Sequence, residues 1–145
     1  MEDTNLNISS TALLCVDLQK CYYQPPITQL FPFLEENVTK VIKVCRNSNV
    51  KVVHVRQEDL DGVSKWLPWW EELHPDQKND LGVPEPLACA LEKDNERVFI
   101  KNTFDGFFST GLDEYLRWYV QITVALYYAC NDVLYLFAKL KYLDP

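Results

Sequence analysis

Seven residues near the amino terminus, Thr11 to Asp17, set the strongest limit on the fold. They read Thr-Ala-Leu-Leu-Cys-Val-Asp, an apolar run that ends in a carboxylate. A strand with one wet face alternates apolar and polar residues. An unbroken run fits a strand covered on both faces, the habit of parallel sheets. Cys21 to Phe31 carries Pro25-Pro26 and reads as a loop. From Pro32 the period changes: Leu34, Val38, Val41, Ile42 and Cys45 fall on one stripe of an α-helix. Glu35 and Glu36 open this helix and Lys43 and Arg46 lie near its end, which suits the helix dipole. Asn47-Ser48-Asn49 stops it, and Val50 to Arg56 reads as a second strand. This β-α-β unit implies a right-handed crossover and a parallel pair.

Residues 57–96 are acidic, proline-bearing and aromatic, include Trp66, Trp69 and Trp70, and read as a long loop with a short helix. Arg97 to Lys101 is a third strand. Thr110 can cap a helix from Gly111 to about Arg117, with Asp113 as a partial capping box. The 145 residues are about one domain. With 14 Lys and Arg against 21 Asp and Glu, the net charge of -7 argues against a nucleic-acid partner. Four glycines are too scattered for a Gly-rich phosphate loop. Five dispersed cysteines, with no Cys-x-x-Cys, point to free thiols in a reducing, cytoplasmic setting. Met1 to Ser10 has no apolar stretch of the kind a signal peptide needs, so none is expected.

Two charged residues end strands, Asp17 the first and Lys101 the third. In an open parallel sheet the carboxyl ends of the strands line the ligand crevice, so both should reach the same place. A carboxylate beside an ammonium can take a proton from a nucleophile while the cation orients it. The residues alone leave another reading open. A strand-end Asp is often a turn residue and a strand-end Lys often a solvated charge.

Three segments then carry a resemblance. Leu13-Leu14-Cys15-Val16-Asp17-Leu18-Gln19 resembles the first-strand motif of the isochorismatase-like cysteine hydrolases. Val52-Val53-His54-Val55-Arg56 resembles their second strand. Phe99-Ile100-Lys101-Asn102-Thr103-Phe104-Asp105-Gly106-Phe107-Phe108-Ser109-Thr110-Gly111-Leu112 resembles their Lys-bearing strand and the aromatic loop after it. The resemblance implies an α/β, doubly wound parallel sheet of about six strands. It implies hydrolysis of small amides, or of the vinyl ether of isochorismate. By the same resemblance Asp17 maps to the general base and Lys101 to its cationic partner. Gln19 becomes a supporting residue of the first-strand turn, counted with the substrate-binding set. Trp66, Trp69, Trp70, Phe104, Phe107 and Phe108 could wall a pocket for a small planar substrate, or simply pack beneath a long loop.

The family pattern continues with a strand and a Gly-x-x-Thr-x-x-Cys turn, where a helix start activates the nucleophilic thiol. Here Cys130 stands nearest that place, with Val124 for the Gly and Tyr127 for the Thr, after a connection a few residues short. This departure implies a displaced nucleophile and amide hydrolysis at background. Residues 1–117 are expected to form the family's amino-terminal part. Residues 118–145 are expected to be a divergent hydrophobic tail in place of the family's last third, as a splice variant or frame change would produce. Trp118 to Ala138 is long enough for a bilayer, but Asn131 and Asp132 lie within it, so a buried helix or a sticky tail is expected rather than a membrane span. Without that third, the first strand would be a bare edge unless residues 119–126 pair with it. Metal-containing relatives carry an Asp-x-His segment after the second strand. Gln57 to Gly62 has no His, so no metal and no cofactor is expected. Two rivals stay open. One is a non-catalytic isoform or interaction subunit that pairs with full-length copies as a homo-oligomer. The other is a flavodoxin-like binding module, which the missing phosphate loop speaks against.

Overall fold

The computed structural model describes residues 10–58, 72, 85–119, 122–127 and 136–140, with side chains described as far as residue 118. Its strands are β1 (Thr11–Val16), β2 (Lys51–Gln57), β3 (Arg97–Lys101), β4 (Ile122–Tyr127) and β5 (Leu136–Leu140). Its helices are α1 (Ile27–Leu30), α2 (Leu34–Asn47) and α3 (Leu112–Tyr119), with a 3₁₀ turn at Ala88–Ala90. The strands form one sheet in the order β3-β2-β1-β4-β5. β3, β2, β1 and β4 run parallel, and β5 is antiparallel to β4.

β1 lies at the centre, and its sequence shows why. Leu13 and Cys15 pack toward α2 with Val38, Ile42 and Val52, while Ala12 and Leu14 pack toward α3 with Val53, Val55, Leu112 and Leu116. Successive side chains go to opposite faces, so a strand covered on both must be apolar throughout. The helix stripe is narrower than expected. Val38 and Ile42 are buried and Leu34 and Cys45 pack at the margin, but Val41 is on the exposed flank. α3 begins as its cap predicts, with Thr110 Oγ1 accepting from the Leu112 N–H at 3.2 Å. The Asp113 carboxylate pairs with Arg117 one turn on instead of closing the box.

Two expectations need correction. The loop from Cys21 to Phe31 contains the single helical turn α1. Among the described residues, the stretch from Trp118 to Ala138 contributes the end of α3, strand β4 and the start of β5, where a buried helix or a sticky tail was the expectation. β4 carries the β-branched Ile122, Thr123 and Val124, which favour a pleated surface. β1 supplies a row of main-chain groups that need partners. β4 pairs with β1 from Thr11↔Ile122 to Val16↔Tyr127, so β1 is not an edge. No helix among the described residues is long and apolar enough to cross a membrane.

Candidate active site

The carboxyl ends of β1, β2 and β3 bring together the two strand-end charges. Asp17 is the first residue past β1, with φ 54, in the left-handed region where the chain turns out of the sheet. Asp tolerates this conformation better than most side chains. Its N–H still makes a strand-like bond to the Val55 carbonyl at 2.9 Å. Lys101 is the last residue of β3, with β2 between it and β1. Its stem spans that gap, and Nζ donates to Asp17 Oδ2 at 2.7 Å. Lys101 is 3% exposed and Asp17 7%.

Asp17 Oδ1 is buried and has no hydrogen-bond partner among the described residues. Burial pushes the Asp17 carboxyl above its ordinary 3.8, and the Lys101 charge and hydrogen bond pull it back. One oxygen is thus held by a cation and the other is left as a proton acceptor. Such a carboxylate is more basic than one in water and is fixed in orientation.

The loop after β3 folds over the pair. The Phe104 carbonyl makes a long 3.5 Å contact with Lys101 Nζ. An Asx turn at Asp105, whose Oδ1 accepts from the Phe107 N–H at 2.9 Å, reverses the chain. Gly106 lets the loop lie directly on β2, since a Cβ there would sit 3.2 Å from Val55 Cγ1. Phe104, Phe107 and Phe108 are about half exposed, at 57%, 50% and 49%. Gln19 is fully buried. Its Nε2 donates to the Gln57 carbonyl at 3.0 Å and its Oε1 accepts from the Gln57 N–H at 2.9 Å. Trp66, Trp69, Trp70 and Cys130 lie outside the described residues.

A second buried polar cluster had not been singled out from sequence. Glu96, just before β3, accepts from Arg46 Nε at 2.7 Å, Arg46 Nη2 at 2.8 Å, His54 Nε2 at 2.9 Å and the Lys93 N–H at 3.1 Å. It ties α2, β2 and the approach to β3. The available signal was a His inside the apolar run Val52–Val55 of β2, a buried position that requires a polar partner. The cluster packs on the α2 face and contains neither Asp17 nor Lys101. A groove of about 680 Å³ between α2 and the 3₁₀ turn, with Glu35, Lys43 and Cys89 in its lining, also lacks both.

Fold and site together define an open α/β domain with a buried Asp–Lys ion pair at the carboxyl edge of its parallel strands. A family model described as the isochorismatase domain matches residues 11–122, and the chain belongs to that family. Solved structures agree in fold. A cysteine hydrolase from Pseudomonas syringae pv. phaseolicola aligns with TM-score 0.66 at 22% identity, over 83% of this chain and 60% of that one. An N-carbamoylsarcosine amidase from Thermoplasma acidophilum aligns with TM-score 0.65 at 22% identity, over 81% of this chain and 66% of that one. An isochorismatase from Pseudomonas putida aligns with TM-score 0.56 at 20% identity, over 76% of this chain and 51% of that one. This chain therefore spans between half and two thirds of the length of these relatives. No curated protein matches it.

Proposed function

We propose that this domain is built for hydrolysis of C–N bonds in small amides, with Asp17 and Lys101 as its proton-transfer half, and that it is impaired at the nucleophile. The carrying observation is the buried Asp17–Lys101 pair, with Oδ1 left without a partner among the described residues. The amidase and cysteine hydrolase among its structural relatives support this substrate class.

In this reading a thiol passes its proton to Asp17 Oδ1 while Lys101 holds the carboxylate in place. The thiolate attacks the amide carbon, and the proton returns to the departing nitrogen as the C–N bond breaks. Water then cleaves the thioester. Cys130 is the candidate thiol. The register Val16↔Tyr127 supports it, because the carboxyl ends of β1 and β4 lie side by side and Cys130 is the third residue after Tyr127. Val124 and Tyr127, in place of the Gly and Thr of the family turn, are the reason for proposing impairment. The half-exposed Phe104, Phe107 and Phe108 would face a planar substrate, with Trp66, Trp69 and Trp70 from the preceding loop. Neither a metal nor an organic cofactor enters this scheme. The described cysteines are free, in keeping with a cytoplasmic setting.

The alternative is a non-catalytic form that pairs with full-length copies. β3 forms one edge of the sheet among the described residues, and an edge is what such pairing uses. The deciding assay compares the unmodified chain with Cys130→Ala on nicotinamide and related amides. Background turnover in both is expected. Clear turnover lost in Cys130→Ala would overturn the impairment and make this a working cysteine hydrolase. Turnover that survives in Cys130→Ala would remove Cys130 from the scheme.

A further inference from the structure

The β1–β2 ladder does not simply stop where Asp17 turns away. The last main-chain rung is the Asp17 N–H to the Val55 carbonyl. In a continuing parallel ladder the next rungs would join the main chain near Gln19 to Gln57. The Gln19 N–H instead bonds back to the Asp17 carbonyl at 2.9 Å, so the main chain cannot supply them. The Gln19 side-chain amide takes over. It donates to the Gln57 carbonyl and accepts from the Gln57 N–H, reproducing the two bonds of a peptide group. On its other side the segment is held by main-chain bonds from Lys20 N–H to Glu85 and from Leu87 N–H to Leu18.

Gln57 is also the residue of β2 in register with Lys101 on β3. A closed ring results: Asp17, the turn to Gln19, the amide pair to Gln57, the strand pairing to Lys101, and the ion pair back to Asp17. We infer that Gln19 is a positioning residue for the acid–base pair, acting as a side-chain rung that fixes the Asp17 turn against the strand position next to Lys101. Its amide is engaged at both ends by Gln57. The inference rests on the reading of Asp17 and Lys101 as the proton-transfer pair.

The test is the carboxyl titration of Asp17, followed by ¹³C NMR on the full chain. It needs no turnover. Gln19→Met keeps the volume and removes both bonds. Val38→Ala, in the α2 core away from the pair, is the control for general loosening. Both should lower the melting temperature. Only Gln19→Met should move the Asp17 midpoint, upward by about 0.5 pH unit or more, because the compensating Lys101 contact weakens. An unchanged or lowered midpoint in folded Gln19→Met would overturn the inference. Should Gln19→Met not fold, Gln19→Asn, neutral and one methylene too short to make both bonds, leaves the charge unchanged, and the same upward move is required of it. Lys101→Met separates the two claims. If it raises the Asp17 midpoint and the Gln19 variants do not, the rung fails and the pair stands. If neither moves it, the pair itself fails.

Discussion

Lys101 crosses a whole strand to reach Asp17: its ammonium lies 2.7 Å from Oδ2 although β2 separates β3 from β1. The stem is buried along the sheet edge, and both charges are withdrawn from water. A desolvated pair of this kind is a poor way to gain stability and a good way to hold a reactive carboxylate.

Removing one partner should therefore cost more than a surface pair does. Lys101→Met leaves a buried carboxylate without its counter-ion, and we expect a loss of about 3–5 kcal/mol at neutral pH. The sign of the pH effect follows from the raised Asp17 carboxyl. Between its ordinary 3.8 and its folded value the native state binds more protons than the unfolded chain, so its contribution to stability is greatest in acid and falls as pH rises. Denaturant titrations of Lys101→Met at acidic and neutral pH should show the smaller deficit in acid. An equal deficit at both would count against an ionised Asp17 facing Lys101.

The Glu96 cluster should show the opposite sign. Burial pushes Glu96 up, but hydrogen bonds from Arg46, His54 and the Lys93 N–H more than reverse this and hold it at about 2. Its contribution is present above the ordinary 4.5 and is lost as pH falls from there toward 2. Burial lowers His54 below 6.5, against the pull of Glu96, so a further loss begins as pH falls through 6.5. Glu96→Gln should cost about 2 kcal/mol at neutral pH, within the range for hydrogen bonds to charged groups. It should also abolish the lower acid window in a pH series of melting temperatures.

Thiol labelling offers an independent check on the core. Cys15 lies in β1, and burial, with smaller contributions from Glu96 and neighbouring thiols, pushes it to about 12. Burial raises Cys89 to about 11. A thiol so far above the working pH supplies almost no thiolate. At pH 8, iodoacetamide should modify Cys15 only after denaturant is added. Rapid native labelling of Cys15 would mean that β1 is not enclosed on both faces.

Much of this architecture was legible from residues. The unbroken run of β1 revealed a strand covered on both faces, and the terminal Asp17 and Lys101 marked the shared edge. The stripe from Leu34 to Cys45 located α2, although Val41 faces outward because a helix packed on a sheet buries a narrower arc than its apolar residues allow. The strand after α3 was half-read. Its pairing with β1 was one of two expected outcomes, while β5 was hidden in a Tyr- and Leu-rich stretch without clear alternation. Partnerships between distant residues were not legible. Nothing in the spacing of Gln19 and Gln57, or of Arg46, His54 and Glu96, signals contact, because such pairs exist only after strand register is set.

Loop chemistry gives one more expectation. Gly111 has φ 78 and open space around a would-be Cβ, so the cost of a side chain there is conformational rather than steric. Gly111→Ala should lose about 1 kcal/mol and Gly111→Asn less, since Asn tolerates the left-handed region. Equal stability of all three in thermal melts would contradict the αL assignment at the entry to α3.

The most direct measurement is the titration of Asp17 in the unmodified chain by carboxyl ¹³C NMR. The expected midpoint lies clearly above 3.8, the mark of a buried carboxylate that Lys101 only partly compensates. A midpoint at or below 3.8 would contradict it, and would make Asp17 and Lys101 an ordinary salt bridge at the edge of a sheet.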